Sequence, residues 1–174
     1  MGPLRPRGPA PGTDDRHAFS PSARRRAAVV QIVDIADKPS VERRARAEGF
    51  LHLAPGTVRA IRDGTVAKGD VVAVAEVAAT TATKRTPDLL PLCHPVPLTS
   101  VRARIEVEDA GVRCRVEVGA TYRTGVEMEA LTGAAIGLLA VFDMVKAMEK
   151  DAAGGYPNAR IEGLRVTHKE KADR

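Results

Sequence analysis

Between residues 101 and 118 apolar and polar side chains alternate in two runs separated by a short break. Val101-Arg-Ala-Arg-Ile-Glu-Val-Glu108 and Val112-Arg-Cys-Arg-Val-Glu-Val118 flank Asp109-Ala110-Gly111. Period-2 alternation on both sides of a turn predicts a β-hairpin with one charged, solvated face. From about residue 125 to 150 the pattern becomes helical, and its apolar residues cover more than one face. Such a helix is expected to lie buried against the sheet and a neighbouring subunit. Gly154-Gly155-Tyr156-Pro157 ends it, and residues 161–166 read as a last edge strand. Earlier in the chain, residues 54–63 predict a short helix closed by Gly64, and Lys68-Gly69-Asp70 predicts a turn. Residues 71–80 read as a strand, residues 27–35 as a strand or extended entry, and residues 40–49 only as an Arg-rich stretch. Two helices over an antiparallel sheet make an α+β sandwich.

Composition changes this picture little. At 174 residues the chain is one domain with a core of alanine, valine and leucine, without tryptophan. So small-sided a core favours oligomerisation. Six of the arginines lie in residues 1–26 against two aspartates, so +4 of the net +5 charge sits in a Pro-, Gly- and Arg-rich segment read as a disordered tail. The domain proper is expected over 27–166, with 167–174 as a flexible C-terminal tail. Two cysteines without metal-ligand spacing and four scattered histidines predict neither a disulfide framework nor a structural metal. No apolar run is read as membrane-spanning and no secretory signal is present, so the expected location is the cytoplasm.

The candidate chemistry lies in four blocks. Between Lys84 and Pro95, two cations, a carboxylate, a thiol and an imidazole stand among prolines that stiffen the backbone. A stiff cationic turn suits a small anionic ligand, although a structural connection with one buried cysteine accounts for the same residues. Lys68 precedes Gly69, where a ligand phosphate can approach the backbone; an exposed lysine is the plain alternative. Asp143 and Lys146 share a helix face, and an i,i+3 ion pair is worth only a few tenths of a kcal/mol when solvated. Following an apolar stretch, between Phe142 and Met144, the pair is expected to be buried and used. Glu127 and Asp143 are sixteen residues apart, about 24 Å on one helix, and point to nearly opposite sides. They cannot serve one small-molecule site within one protomer, so either one end is structural or a second subunit completes the site, and the shared site is the favoured reading.

Taken together, Lys68-Gly-Asp-Val71, Lys84-Arg-Thr86, Leu92-Cys-His-Pro95, Thr124-Gly-Val-Glu-Met-Glu-Ala-Leu-Thr132 and the Asp143-Met-x-Lys146-Ala block closely resemble the cyclic pyranopterin monophosphate synthase family of molybdenum cofactor biosynthesis. The resemblance runs from about residue 33 to residue 151. It implies a ferredoxin-like α+β fold, an antiparallel sheet with helices packed on one face, assembled as a homohexamer (a trimer of dimers) with the site at a subunit interface. It implies as substrate a cyclic dihydroguanosine triphosphate, rearranged to a pyranopterin with formation of a cyclic phosphate and release of pyrophosphate. Asp143, Lys146 and Lys68 match the catalytic positions. Leu92, Cys93 and His94 match one substrate-binding block and Met128 and Glu129 the other. Glu127 and Arg43 match positions near the pocket, and Lys84 and Arg85 supply further cations for the phosphates. No metal, organic cofactor, nucleic-acid partner or membrane partner is implied.

Departures from the family pattern frame two further readings. The family's usual Lys-Ser-Gly-Gly-Lys-Ser-Gly loop is replaced by Thr167-His-Lys-Glu-Lys-Ala-Asp-Arg174, Val41 stands where threonine is usual, Arg123 where lysine is common and Val145 where cysteine is common. One alternative is therefore a diverged paralogue that binds nucleotide and turns over poorly. The other is a ferredoxin-like nucleic-acid module, which the basic tail suggests and the scarcity of aromatic stacking platforms opposes.

Overall fold

The structure is a computed structural model that describes residue 2 and residues 30–172. The expected disordered tail therefore lies outside the described residues, apart from Gly2. Four strands form one antiparallel sheet in the order β2-β3-β1-β4: β1 (Val41–His52), β2 (Leu98–Glu108), β3 (Gly111–Tyr122) and β4 (Arg160–Lys171). The hairpin predicted from alternation is β2–β3, longer at both ends than the sequence indicates. The long helix is α4 (Glu127–Glu149), lying on β1 and β3. The α+β class holds.

The largest correction concerns residues 71–80, read as a strand. They form most of α2 (Val71–Lys84), packed beside α4 and over β2. The Asp70 carboxylate accepts the Ala73 amide hydrogen at 3.0 Å, a helix N-cap. Val71, Ala75, Ala79 and Ala82 are buried at helical spacing. Alanine lets this stripe approach α4 closely, where Gly133 and Gly137 face it. A Cβ on Gly133 would lie 2.2 Å from Thr83 Oγ1.

The Arg-rich stretch at 40–49 belongs to β1, a central strand. Ala45, Ala47 and Leu51 alternate into the core, and the intervening arginines and glutamates point outward. Residues 30–35, expected as a strand or extended entry, are irregular; residues 27–29 lie outside the described residues. The predicted short helix is α1 (Pro55–Arg62), and a further turn of helix, α3 (Thr86–Leu89), stiffens the Pro-rich segment. A tail beginning at residue 167 does not match the structure, because β4 continues to Lys171.

By length and composition α4 is apolar enough to cross a membrane, which revises the sequence reading. Isolated charges near its ends leave the middle, residues 130–142, uncharged. Half of the apolar window is buried inside the chain, and Leu138, Val141 and Val145 are fully enclosed. Helix α4 covers β4 only in part, meeting it where Lys169 reaches Glu127. On its helix-facing side Ile161, Leu164 and Val166 remain well exposed, although they lie opposite the buried Leu51, Gly49 and Ala47 region of β1.

Candidate active site

The first cluster lies near the C-terminal end of α4. The turn after α1 holds Lys68 so that its Nζ donates to Asp143 Oδ2 at 2.8 Å and to the Asp143 carbonyl oxygen at 2.7 Å. Lys146, one turn on, donates to Asp143 Oδ1 at 2.7 Å. Gly69, with φ of +100°, makes the turn that delivers Lys68. The hydrogen bonds from Lys146 and Lys68 bring the Asp143 carboxyl down to about 2. The Asp143 carboxylate in turn raises Lys146. The expectation that this pair is buried is not met within one chain: Asp143 is 58% exposed and the two lysines about half. Apolar neighbours in sequence lie on other faces of the helix, so flanking residues do not report burial.

The second cluster lies at the other end of α4. Leu92, Cys93 and His94 from the Pro-rich segment meet Met128 and Glu129 from the first helical turn around a cleft of about 290 Å³. Val33, Ile35 and Lys38 close one side of it. Glu129 is only 4% exposed, and this desolvation raises its carboxyl above the ordinary value. Burial likewise raises the Cys93 thiol, with the Glu129 charge adding to the effect. Cys93 is therefore poorly suited to act as a thiolate nucleophile.

Arg43 and Glu127 are joined by a residue that the sequence reading passed over. Lys169 on β4 forms an ion pair with Glu127. Lys169 lies opposite Ala45 and Lys171 opposite Arg43, so both lysines face the helices beside the first turn of α4. Strand alternation counted from Val166 would turn them outward. A register shift between the Arg46–His168 and Ala47–Val166 pairs leaves Thr167 as an extra residue and reverses the phase. Arg43 Nε is buried without a hydrogen-bond partner. Lys84 and Arg85 are exposed at the end of α2, and Lys84 lines a separate depression with Thr80 and residues 98–101. Among the described residues no group of three or more His, Cys, Asp or Glu side chains gathers as a metal site would.

The chain is thus a four-stranded α+β domain with a carboxylate shared by two lysines at one end of its core helix, and an imidazole and a buried carboxyl at the other. A model of the MoaC family matches residues 32–172, and the chain belongs to that family. A relative from Aeropyrum pernix is 52% identical over 140 residues, covering 80% of this chain and 96% of its own length. One from Methanoregula boonei is 50% identical, covering 81% and 91%, and one from Archaeoglobus fulgidus 47%, covering 82% and 91%. All three carry the name "Probable cyclic pyranopterin monophosphate synthase".

Proposed function

We propose that this chain catalyses the reaction for which its relatives are named. As a lyase of molybdenum cofactor biosynthesis, it converts (8S)-3',8-cyclo-7,8-dihydroguanosine 5'-triphosphate to cyclic pyranopterin monophosphate and releases pyrophosphate. The observation that carries this reading is the Asp143 carboxylate bridging Lys68 and Lys146. In the free protein this contact holds Asp143 ionised and Lys146 protonated. A triphosphate competes with Asp143 for the two ammonium groups. The protonated Lys146 is placed to give a proton to the opening purine ring, and the ionised Asp143 to accept one. The raised Glu129 carboxyl is a second proton source, and His94, Arg43, Lys84 and Arg85 supply contacts for the anionic substrate.

The two clusters stand at opposite ends of one continuous helix, and a nucleotide cannot touch both within one chain. A homohexamer built as a trimer of dimers, with each site completed across an interface, resolves this separation. The bare apolar side of β4 supports it. Cytoplasmic location belongs with the same reading. A nucleic-acid module is disfavoured by the outer sheet face, where Arg46, Arg113, Arg115 and Arg165 are paired with glutamates instead of being free for phosphates. The absence of a glycine loop suggested a diverged paralogue, but Lys169 and Lys171 still face the first turn of α4.

The test is a coupled assay that follows pyrophosphate and pterin from the cyclic triphosphate. Both products are expected. Asp143→Asn and Lys146→Ala are expected to lose turnover on the order of 10²-fold or more with assembly intact. Undiminished turnover in an assembled variant overturns the assignment, and binding without either product establishes the paralogue.

A further inference from the structure

Residues 30–40 contain no helix or strand, yet they are fastened at several points. The Ala36 amide donates to Asp34 Oδ1 at 2.8 Å, and the Lys38 amide donates to the Ile35 carbonyl at 3.1 Å. Arg123 Nη1 donates to the Ala36 carbonyl oxygen at 2.8 Å. The Val33 carbonyl oxygen stands 2.6 Å from His94 Nε2. The segment is thus a strap that walls the Cys93 cleft on one side. Its other side borders a second depression of about 630 Å³ that includes His94, Tyr122 and Arg123.

The chemistry of the His94 contact has only one polarity. A backbone carbonyl has no hydrogen to give, so Nε2 must carry the proton. In the neutral ring Nδ1 is then the lone-pair nitrogen, and among the described residues it has no hydrogen-bond partner. The strap therefore determines which nitrogen of His94 is available to accept a hydrogen bond or a proton. What holds the strap in place is Arg123. It follows the last residue of β3 and precedes the Thr124-Gly125 turn into α4. Its side chain ties the end of the sheet to the backbone that orients His94.

We propose that Arg123 is a positioning residue: by holding Ala36 it seats the strap, and the Val33 carbonyl then fixes His94 as the Nε2–H tautomer with Nδ1 free for the substrate. The proposal rests on the placement of His94 in the substrate site given above, but its first test needs no substrate. In protein with ¹⁵N-labelled histidine, the His94 ring is identified by its absence in His94→Gln. Its nitrogen shifts in the neutral form then report the tautomer. Nε2–H is expected in the unaltered chain, a mixture of tautomers in Arg123→Ala, and restoration of Nε2–H in Arg123→Lys. Ile35→Glu, which pries the strap from the cleft side without touching Arg123, is expected to give the same mixture and guards against misfolding of the alanine variant. An Nδ1–H ring in the unaltered chain, or an unmixed ring in folded Arg123→Ala, overturns the proposal. Where turnover is measured, kcat/KM is expected to fall on the order of 10-fold to 100-fold in Arg123→Ala and to recover in Arg123→Lys. A fixed tautomer in a chain without turnover supports the strap and overturns only the reaction it serves.

Discussion

Two ammonium groups share the Asp143 carboxylate, and each partner's protonation depends on the other. Asp143→Asn removes the charge that raises Lys146, so Lys146 is expected to titrate at a lower pH in this variant. Side-chain NMR of the lysine checks this without reference to turnover. Glu129 has the opposite character. A carboxyl whose pKa is raised by folding contributes stability below its unfolded pKa, and that contribution is lost as pH rises through the folded pKa. At neutral pH the buried Glu129 therefore strains the fold. Glu129→Gln is expected to melt at a higher temperature than the unaltered chain near pH 7, with the difference shrinking as the pH is lowered toward 4. Calorimetry across that range tests it. Turnover is expected to fall in the same variant, since the buried carboxyl is a proposed proton source.

The contact between α2 and α4 is built on small residues, and its tightest point is Gly133 against Thr83. Thr83 Oγ1 already donates to the Ala79 carbonyl at 2.9 Å, so the hydroxyl cannot move aside without breaking that bond. Gly133→Ala is expected to cost about 1–3 kcal/mol, read from the urea midpoint at unchanged slope. The same packing explains why α2 was hard to recognise. Val71, Val72, Val74 and Val77 resemble a strand, while the signal for helix lies in alanines at 75, 79 and 82 and in the Asp70 cap. Alanine is weakly hydrophobic and carries little signal in a polar/apolar pattern. β1 was obscured for the opposite reason: its outward arginines and glutamates outweighed the small Ala45 and Ala47 that mark its inner face. The hairpin was legible because Val101, Ile105, Val107, Val112, Val116 and Val118 dominate its inner face, and α4 because Leu138 and Val141 belong to a long run free of charge.

At the scale of the whole molecule, the candidate site was legible as a set of residues but not as a set of distances. The Lys68–Asp143–Lys146 contact joins a turn and a helix 75 residues apart, and only the motif order linked them beforehand. Lys169 was lost to a single extra residue in β4, and the strap to its lack of any periodicity. If sites are shared between subunits, two inactive variants repair each other. Asp143→Asn chains and His94→Ala chains, each inactive alone, are expected to recover about a quarter of full activity when co-assembled at equal amounts, because half the pairs are mixed and each mixed pair holds one intact site. Steady-state rates of the mixture measure this directly; a mixture as inactive as its components places both halves of the site in one chain.

Because α4 runs unbroken from Glu127 to Glu149, it is also a ruler. Each residue adds about 1.5 Å and turns the helix by about 100°. One inserted or deleted residue in its middle would therefore swing Asp143 and Lys146 off the face that meets Lys68, while leaving Met128 and Glu129 where they are. Individual side chains along the helix can drift as long as they pack, but their number cannot. Length variation in this lineage is accordingly expected in the connection between α4 and β4, where a gained or lost residue re-aims nothing.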